Sequence, residues 1–136
     1  MEVPEGFQPH DRQSPLTNPW EPLYSRKTDE AVIIGLRASA AHTNSRGFVH
    51  GGLISALADN AMGLSCGHRV EGGASLVTVN LTLDFIGTAR IGQWLEFRTE
   101  LVKPGSTLSF AQALVTADGE LCARANAVFR VVKKAA

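Results

Sequence analysis

The spacing of hydrophobic and polar positions changes several times along this 136-residue chain. From Glu30 onward, Val32, Ile34, Leu36 and Ala38 alternate with Ile33, Gly35, Arg37 and Ser39, which predicts a strand. An irregular polar stretch follows, His42-Thr43-Asn44-Ser45-Arg46-Gly47. Between Gly51 and Gly67 the period becomes helical, with Leu53, Ala56, Leu57, Ala61, Met62 and Leu64 apolar. Small residues crowd this segment (Gly52, Ala58, Gly63, Ser65), so the helix is expected to lie buried against a sheet, where short side chains permit close approach. Few polar groups interrupt it, chiefly Ser55, Asp59 and Asn60.

Period two then returns. Val77, Val79, Leu81, Leu83 and Phe85 alternate with Thr78, Asn80, Thr82 and Asp84, a strand whose apolar face is expected in the core. A turn over Gly87–Gly92 leads to a strand at 93–103, with Leu95, Phe97, Thr99 and Leu101 on one face. Pro104-Gly105 turns the chain into a strand at 107–116, and Asp118-Gly119 marks a hairpin. The last strand, 121–132, turns Leu121, Ala123, Ala125, Ala127, Phe129 and Val131 to one side, and Lys133-Lys134 ends it in solvent. The expected architecture is α+β: a curved antiparallel β-sheet, built as a meander and wrapped around one central α-helix. That helix is the only element apolar enough to cover the inner face.

Residues 1–28 follow no period, and Pro4, Pro9, Pro15, Pro19 and Pro22 leave only Pro104 for the remainder. They are read as an extended Pro-rich N-terminal arm that packs locally, either as plain covering or as a lid over a ligand. One domain is expected over 29–136.

Composition removes several function classes. Thirteen basic residues balance thirteen acidic ones, which argues against a nucleic-acid partner. No apolar run is long enough to cross a bilayer, so no membrane partner is expected. Cys66 and Cys122 sit in no ligand or redox spacing and are read as reduced thiols. Met1–Gly6 lacks a basic region followed by an apolar run, and a cytoplasmic protein is expected. No Walker sequence, G-x-S-x-G or H-E-x-x-H is present. His10, His42, His50 and His68 lie apart from any carboxylate or cysteine at ligand spacing, so no metal site is expected.

One constellation carries chemistry: Asn44 through His50-Gly51-Gly52, then Asp59 in the helix. The first N–H groups of a helix have no internal partners and carry the positive end of its dipole. Consecutive glycines leave those groups bare, so a carbonyl placed there finds donors ready for a developing oxyanion. Asp59 is a carboxylate in an otherwise apolar helix, a costly placement unless the group is paired or useful. It lies eight residues beyond Gly51. That is about 12 Å along a helix axis, whereas a base or nucleophile acts within about 3 Å. If both groups serve one carbonyl, they come most simply from two subunits.

The Asn-x-x-Gly-x-x-His-Gly-Gly run, the helix aspartate after it and the Thr78–Phe85 strand resemble the hotdog-fold acyl-CoA thioesterases of the PaaI-like and thioesterase superfamily member 2 type. The resemblance covers Glu30 to Val132 and leaves out the arm. It implies that Asp59 is the catalytic carboxylate, as general base or nucleophile, and that the Gly51 N–H forms the oxyanion hole. It implies that Asn44 orients the thioester or the water, that Thr78 positions the water, and that His50 shapes the loop or polarises the carbonyl region. Arg90, Lys103 and Ser106 are placed to contact the CoA nucleotide, with Arg46 and Arg69 as further surface cations. No cofactor is implied, since CoA is part of the substrate. The resemblance also implies a homodimer joined through residues 75–86 and a homotetramer made as a dimer of dimers. Two alternatives stay open: a hotdog dehydratase or hydratase of hydroxyacyl thioesters, and a non-catalytic acyl-CoA binding module.

Overall fold

The computed structural model describes residues 2–133. The arm supplies β1 (Gln8–Pro9), a short 3-10 turn (Asn18–Trp20) and β2 (Tyr24–Lys27). Strand β3 (Val32–Arg37), helix α1 (Gly51–His68), β4 (Ala74–Phe85), β5 (Trp94–Lys103), β6 (Leu108–Ala117) and β7 (Glu120–Lys133) follow. Lys134, expected to stand in solvent past the last strand, lies outside the described residues.

All seven strands join one antiparallel sheet in the order β1-β2-β3-β5-β6-β7-β4. Helix α1 lies on its inner face. Leu53, Ile54, Leu57, Ala58, Ala61, Met62, Ser65 and Cys66 are buried, a stripe that repeats each turn. They meet Ile34, Leu36, Leu95, Phe97, Val115, Ala125 and Phe129 from the sheet. The alanines of β6 and β7 leave room for the helix backbone. Ser65, buried in this contact, is satisfied: its Oγ accepts from the Val32 N–H at 3.1 Å and donates to the Val32 carbonyl at 3.3 Å.

Three features differ from the sequence reading. The first is order. Only β5-β6-β7 is a meander, and β4 pairs with β7 at the far edge of the sheet instead of beside β5. Residues 86–93 therefore cross the end of the sheet. They are pinned on both sides: Ile86 and Gly87 donate to Cys122, and Ala89 accepts from Val49.

The second is phase. A bulge between Thr78 and Asn80 inserts Val79 as a surplus residue, because Thr78 faces Phe129 and Asn80 faces the adjacent Val128. Leu76, Leu81 and Leu83 are half-buried against the core, while Val77 and Val79, expected inside, are 54% and 59% exposed. Phe85 is also exposed. A second bulge, between Thr99 and Leu101, does the same in β5. Thr99 stays buried, Leu101 is 56% exposed, and Val102 packs on the core in its place.

The third is the arm, which does more than pack locally. Leu23 joins the main core, and Phe7 packs with Ile33, Trp94 and Tyr24 on the opposite face of β3. The Phe7 and Trp94 rings meet edge-on at 5.2 Å. Thus β3 is buried on both faces, which explains its unbroken Val32-Ile33-Ile34 run. Gly35 is required there, since a Cβ would run into the Trp94 ring and stand 2.9 Å from Phe7.

Candidate active site

Asp59 and Thr78 come together first. The bulge in β4 leaves Thr78 on the side of the strand that faces α1, and its hydroxyl donates to Asp59 Oδ1 at 2.7 Å. Both residues line a cleft of about 630 Å³ between the helix and the start of β4. Asp59 is half-buried there. Asp59, Gly63 and Gly67 share one helix face at four-residue spacing, and all three line the cleft. The glycines hollow the wall: a Cβ on Gly63 would sit 3.4 Å from Phe129, and one on Gly67 would sit 3.4 Å from Leu76. The arm closes the cleft with His10, Asp11, Arg12 and Ser14.

A second group forms at the helix start. His50 is the N-cap of α1, and its Nδ1 accepts from the Gly52 N–H at 2.8 Å. This geometry needs glycine at 52, because a Cβ would stand 2.9 Å from the same Nδ1. His50 therefore shapes the helix entry. The Gly51 N–H makes no hydrogen bond among the described residues, and the Phe85 ring would stand 3.3 Å from a Cβ at Gly51. Asn44 organises the loop before the helix. Its Oδ1 accepts from the Arg46 N–H at 2.9 Å and the Phe48 N–H at 3.2 Å, and its own N–H donates to the Phe48 carbonyl at 2.8 Å.

His42 locks this loop to the arm. It is buried, its Nδ1 accepts from the Ser39 N–H at 2.9 Å, and its Nε2 donates to the Trp20 carbonyl at 2.9 Å. His68 ends α1 and donates from Nε2 to the Thr28 carbonyl at 2.8 Å. Among the described residues no cluster of three or more His, Cys, Asp or Glu could hold a metal ion.

The two groups are separate within one chain: Asp59 and Thr78 at mid-helix, Asn44, His50 and Gly51 at its start. Arg90 belongs with the second. Its guanidinium lies 5.2 Å from the centre of the Phe48 ring, and residues 48 and 90 form a β-bridge. Lys103 closes β5, Ser106 lies in the β5–β6 turn, and both are exposed. The structure thus does not bring Arg90 together with Lys103 and Ser106.

A family pattern described as the thioesterase superfamily matches residues 46–123, more than half of the chain and including both groups apart from Asn44. The chain belongs to the thioesterase superfamily. A putative esterase of Pseudomonas aeruginosa is 41% identical over 132 residues, covering 96% of this chain and 98% of its own length. Human acyl-coenzyme A thioesterase 13 is 34% identical over 97 residues, covering 68% of this chain and 67% of its own. Among solved structures, a hypothetical thioesterase of Streptococcus pneumoniae with coenzyme A superposes with a TM-score of 0.77 at 20% identity, over 86% of this chain and 94% of its own. A point mutant of the phenylacetic acid degradation protein PaaI of Thermus thermophilus gives a TM-score of 0.74 at 25% identity, over 86% and 99%. The sheet curved around a single helix is the hotdog fold of these thioesterases. Thioester hydrolysis is the general chemistry that superfamily membership supports.

The sequence reading left the arm open between plain covering and a lid, without naming which of its residues reach the site, and it missed the groove cut by Gly63 and Gly67. The second was legible: Asp59, Gly63 and Gly67 recur every four residues, which sets bare backbone beside the carboxylate. Nothing local in the sequence signals that His10 returns to the same cleft. Its placement depends on β1 pairing with β2, where the His10 N–H donates to the Leu23 carbonyl at 2.9 Å.

Proposed function

We propose that this protein hydrolyses acyl-coenzyme A thioesters to the free acid and CoA, at a site shared between two subunits. The observation that carries the reading is the Thr78–Asp59 hydrogen bond in a cleft, with an unpaired Gly51 N–H about two helix turns away. Asp59 acts as general base or nucleophile. As base, it takes a proton from water, the water oxygen attacks the thioester carbon, and the oxyanion is held by the Gly51 N–H of the other subunit. The C–S bond then breaks and the proton passes from Asp59 to the CoA sulfur. As nucleophile, Asp59 attacks the carbon directly and releases CoA thiolate, leaving an anhydride that water opens. Thr78 fixes Oδ1 in either case, and Asn44 and His50 hold the loop that presents Gly51. Relatives named as acyl-coenzyme A thioesterases and solved relatives bound to CoA or acetyl-CoA support the choice of substrate.

The two-subunit arrangement has support in the shape of β4. It is a twelve-residue edge strand, and Val77, Val79, Phe85 and Ile86 are exposed on or beside it. A long apolar edge is a template for pairing with another chain. We assign it to a second copy, in a homodimer across residues 75–86. Leu101, Leu108 and Phe110, exposed on the outer face, suit a homotetramer of two such dimers. Arg90 flanks the Gly51 half of the site and is assigned to the CoA phosphates. Lys103 and Ser106 are proposed nucleotide contacts from the exposed β5–β6 turn. No helix among the described residues is long and apolar enough to cross a membrane, and a cytoplasmic location is part of the proposal.

The test is thiol release from a panel of acyl-CoA substrates. Asp59→Asn is expected to remove most turnover while CoA binding and the folded state persist. Equal turnover by the variant overturns the reading. Ultraviolet change on enoyl-CoA without thiol release would point to a hydratase instead, and tight acyl-CoA binding without any turnover to a binding module.

A further inference from the structure

Phe85 is the one apolar side chain that β4 aims at α1 and the core leaves open. Past the bulge, Leu81, Leu83 and Phe85 share the face turned to the helix. Leu81 and Leu83 are half-buried against the core, whereas Phe85 is 55% exposed. The reason lies in where the two elements end. Phe85 closes β4 and α1 begins at Gly51, so the ring reaches the helix start rather than its side. A Cβ on Gly51 would lie 3.3 Å from Cζ of the ring, 3.4 Å from Cε1 and 3.8 Å from Cε2. The backbone fixes this placement. Phe85 pairs with Ala123, and the N–H groups of Ile86 and Gly87 both donate to the Cys122 carbonyl, at 2.9 and 3.0 Å.

The ring thus lies against the residue that supplies the oxyanion donor. The Gly51 N–H makes no hydrogen bond among the described residues, and a bare glycine leaves it as open to water as to a carbonyl. Water on that donor has to leave before an oxyanion is held, and the donor acts more strongly on charge in dry surroundings. A phenyl ring has no hydrogen-bonding group, so it excludes water from one side without competing for the N–H. It also keeps residue 51 bare, since even a methyl group would press on it at 3.3 Å. In a two-fold dimer joined through β4 the paired strands run antiparallel. That sets the Phe85 end of one chain beside the Thr78 end of the other, with the ring turned to the thioester between them.

We propose that Phe85 is a positioning residue of the hydrolysis, whose ring packs on the thioester and shields the Gly51 N–H from water as the oxyanion forms. The inference rests on the acyl-CoA reading above and adds to that site a residue with no reacting group of its own. It also gives the uncovered ring a use in the chemistry rather than in the fold.

The experiment assays wild type, Phe85→Leu, Phe85→Met, Phe85→Gln, Gly51→Ala and the double variant Gly51→Ala, Phe85→Leu by thiol release, with kcat and KM determined separately and the dimer followed by sedimentation. Leucine lacks the ring atoms that reach Gly51. Phe85→Leu is expected to lower kcat roughly ten-fold while KM changes by less than about three-fold, because a transition-state interaction is weakened rather than removed. Methionine keeps an apolar surface of similar reach, so Phe85→Met should retain most of the rate. Phe85→Gln keeps the reach but brings polar groups to the donor, and should lower kcat as far as leucine does. It carries the test if the leucine variant fails to fold. Gly51→Ala keeps the N–H but presses on the ring, and shortening the ring relieves that contact, so the double variant should lose less than the two single losses multiplied. Wild-type kcat in both Phe85→Leu and Phe85→Gln, an effect confined to KM or to dimer dissociation, or losses that simply multiply overturn the inference and leave the hydrolase reading standing. Absence of thiol release from every acyl-CoA in wild type overturns both.

Discussion

Replacing Thr78 by valine tests the smallest part of the site that the structure resolves in full. The side chains have nearly the same shape, both are β-branched, and both suit a strand, so β4 is left as it is. What disappears is one O–H···O contact of 2.7 Å to Asp59 Oδ1. A hydrogen bond to a charged acceptor contributes about 1.5–3 kcal/mol. Thr78 is exposed and Asp59 half-buried, which places the loss at the lower end of that range. At about 1.4 kcal/mol per factor of ten, kcat should fall roughly ten-fold and no more than about a hundred-fold. Thiol release under saturating acyl-CoA measures it. Thr78→Ser should recover most of the rate, because it restores the hydroxyl. The double variant Asp59→Asn, Thr78→Val should be no slower than Asp59→Asn alone, since the hydroxyl acts only through the carboxylate. A Thr78→Val protein with wild-type kcat, or a double variant whose losses simply multiply, would refute the pairing as a working part of the site.

Other consequences can be measured with the same protein. Asn44→Ala removes the acceptor for two loop N–H groups, so kcat/KM should drop roughly ten-fold, less than for Asp59→Asn, with a lower Tm in thermal unfolding. The lowered pKa of His10 makes stability depend on pH. Between the folded value and the ordinary 6.5 the unfolded chain binds more protons, so stability is full above about pH 6.5 and falls as the pH drops toward the folded value. His10→Phe should flatten that part of the Tm-against-pH curve, and an unchanged curve would contradict the assignment. Burial raises the pKa of both Cys66 and Cys122, so neither should react with a thiol reagent at neutral pH until the protein is unfolded. Rapid labelling of the native protein would show that one of them is open to solvent.

Much of the fold is readable from residue spacing because it depends on neighbours along the chain. The alternation from Ala123 to Val131 needs only a strand with one buried face, and the structure buries every second residue there. Asp59 stands out because a lone carboxylate among small apolar helix residues is costly. The features that escaped depend on distant partners. Val77 and Val79 look like core residues in any window of β4, and only the pairing with β7 reveals the surplus position that puts them outside. Leu101 is misplaced for the same reason by the pairing of β5 with β6. Ile33 reads as the outer face of a half-exposed strand, and it is covered by Phe7, far earlier in the chain, together with Trp94 and Tyr24. The site divides in the same way. Gly51 follows from helix-start chemistry and Asn44 and His50 from the family resemblance, whereas the closing wall at His10 follows from how the arm folds back.

The extra residue in β4 makes the aim of Thr78 a matter of parity. Counting along the strand, Leu76 and Thr78 face α1 at even numbers, and Leu81 and Leu83 at odd ones. Val79 is where the count changes over. Removing it would leave every other inward position unchanged and yield an uninterrupted strand. Removing Asn80 in its place has the same effect on parity, whereas removing Thr82 would put Leu81 and Leu83 on opposite faces of the strand. Length changes in β4 are therefore neutral in parity at Val79 or Asn80 and disabling further along, a pattern that a scan of single-residue deletions would display directly.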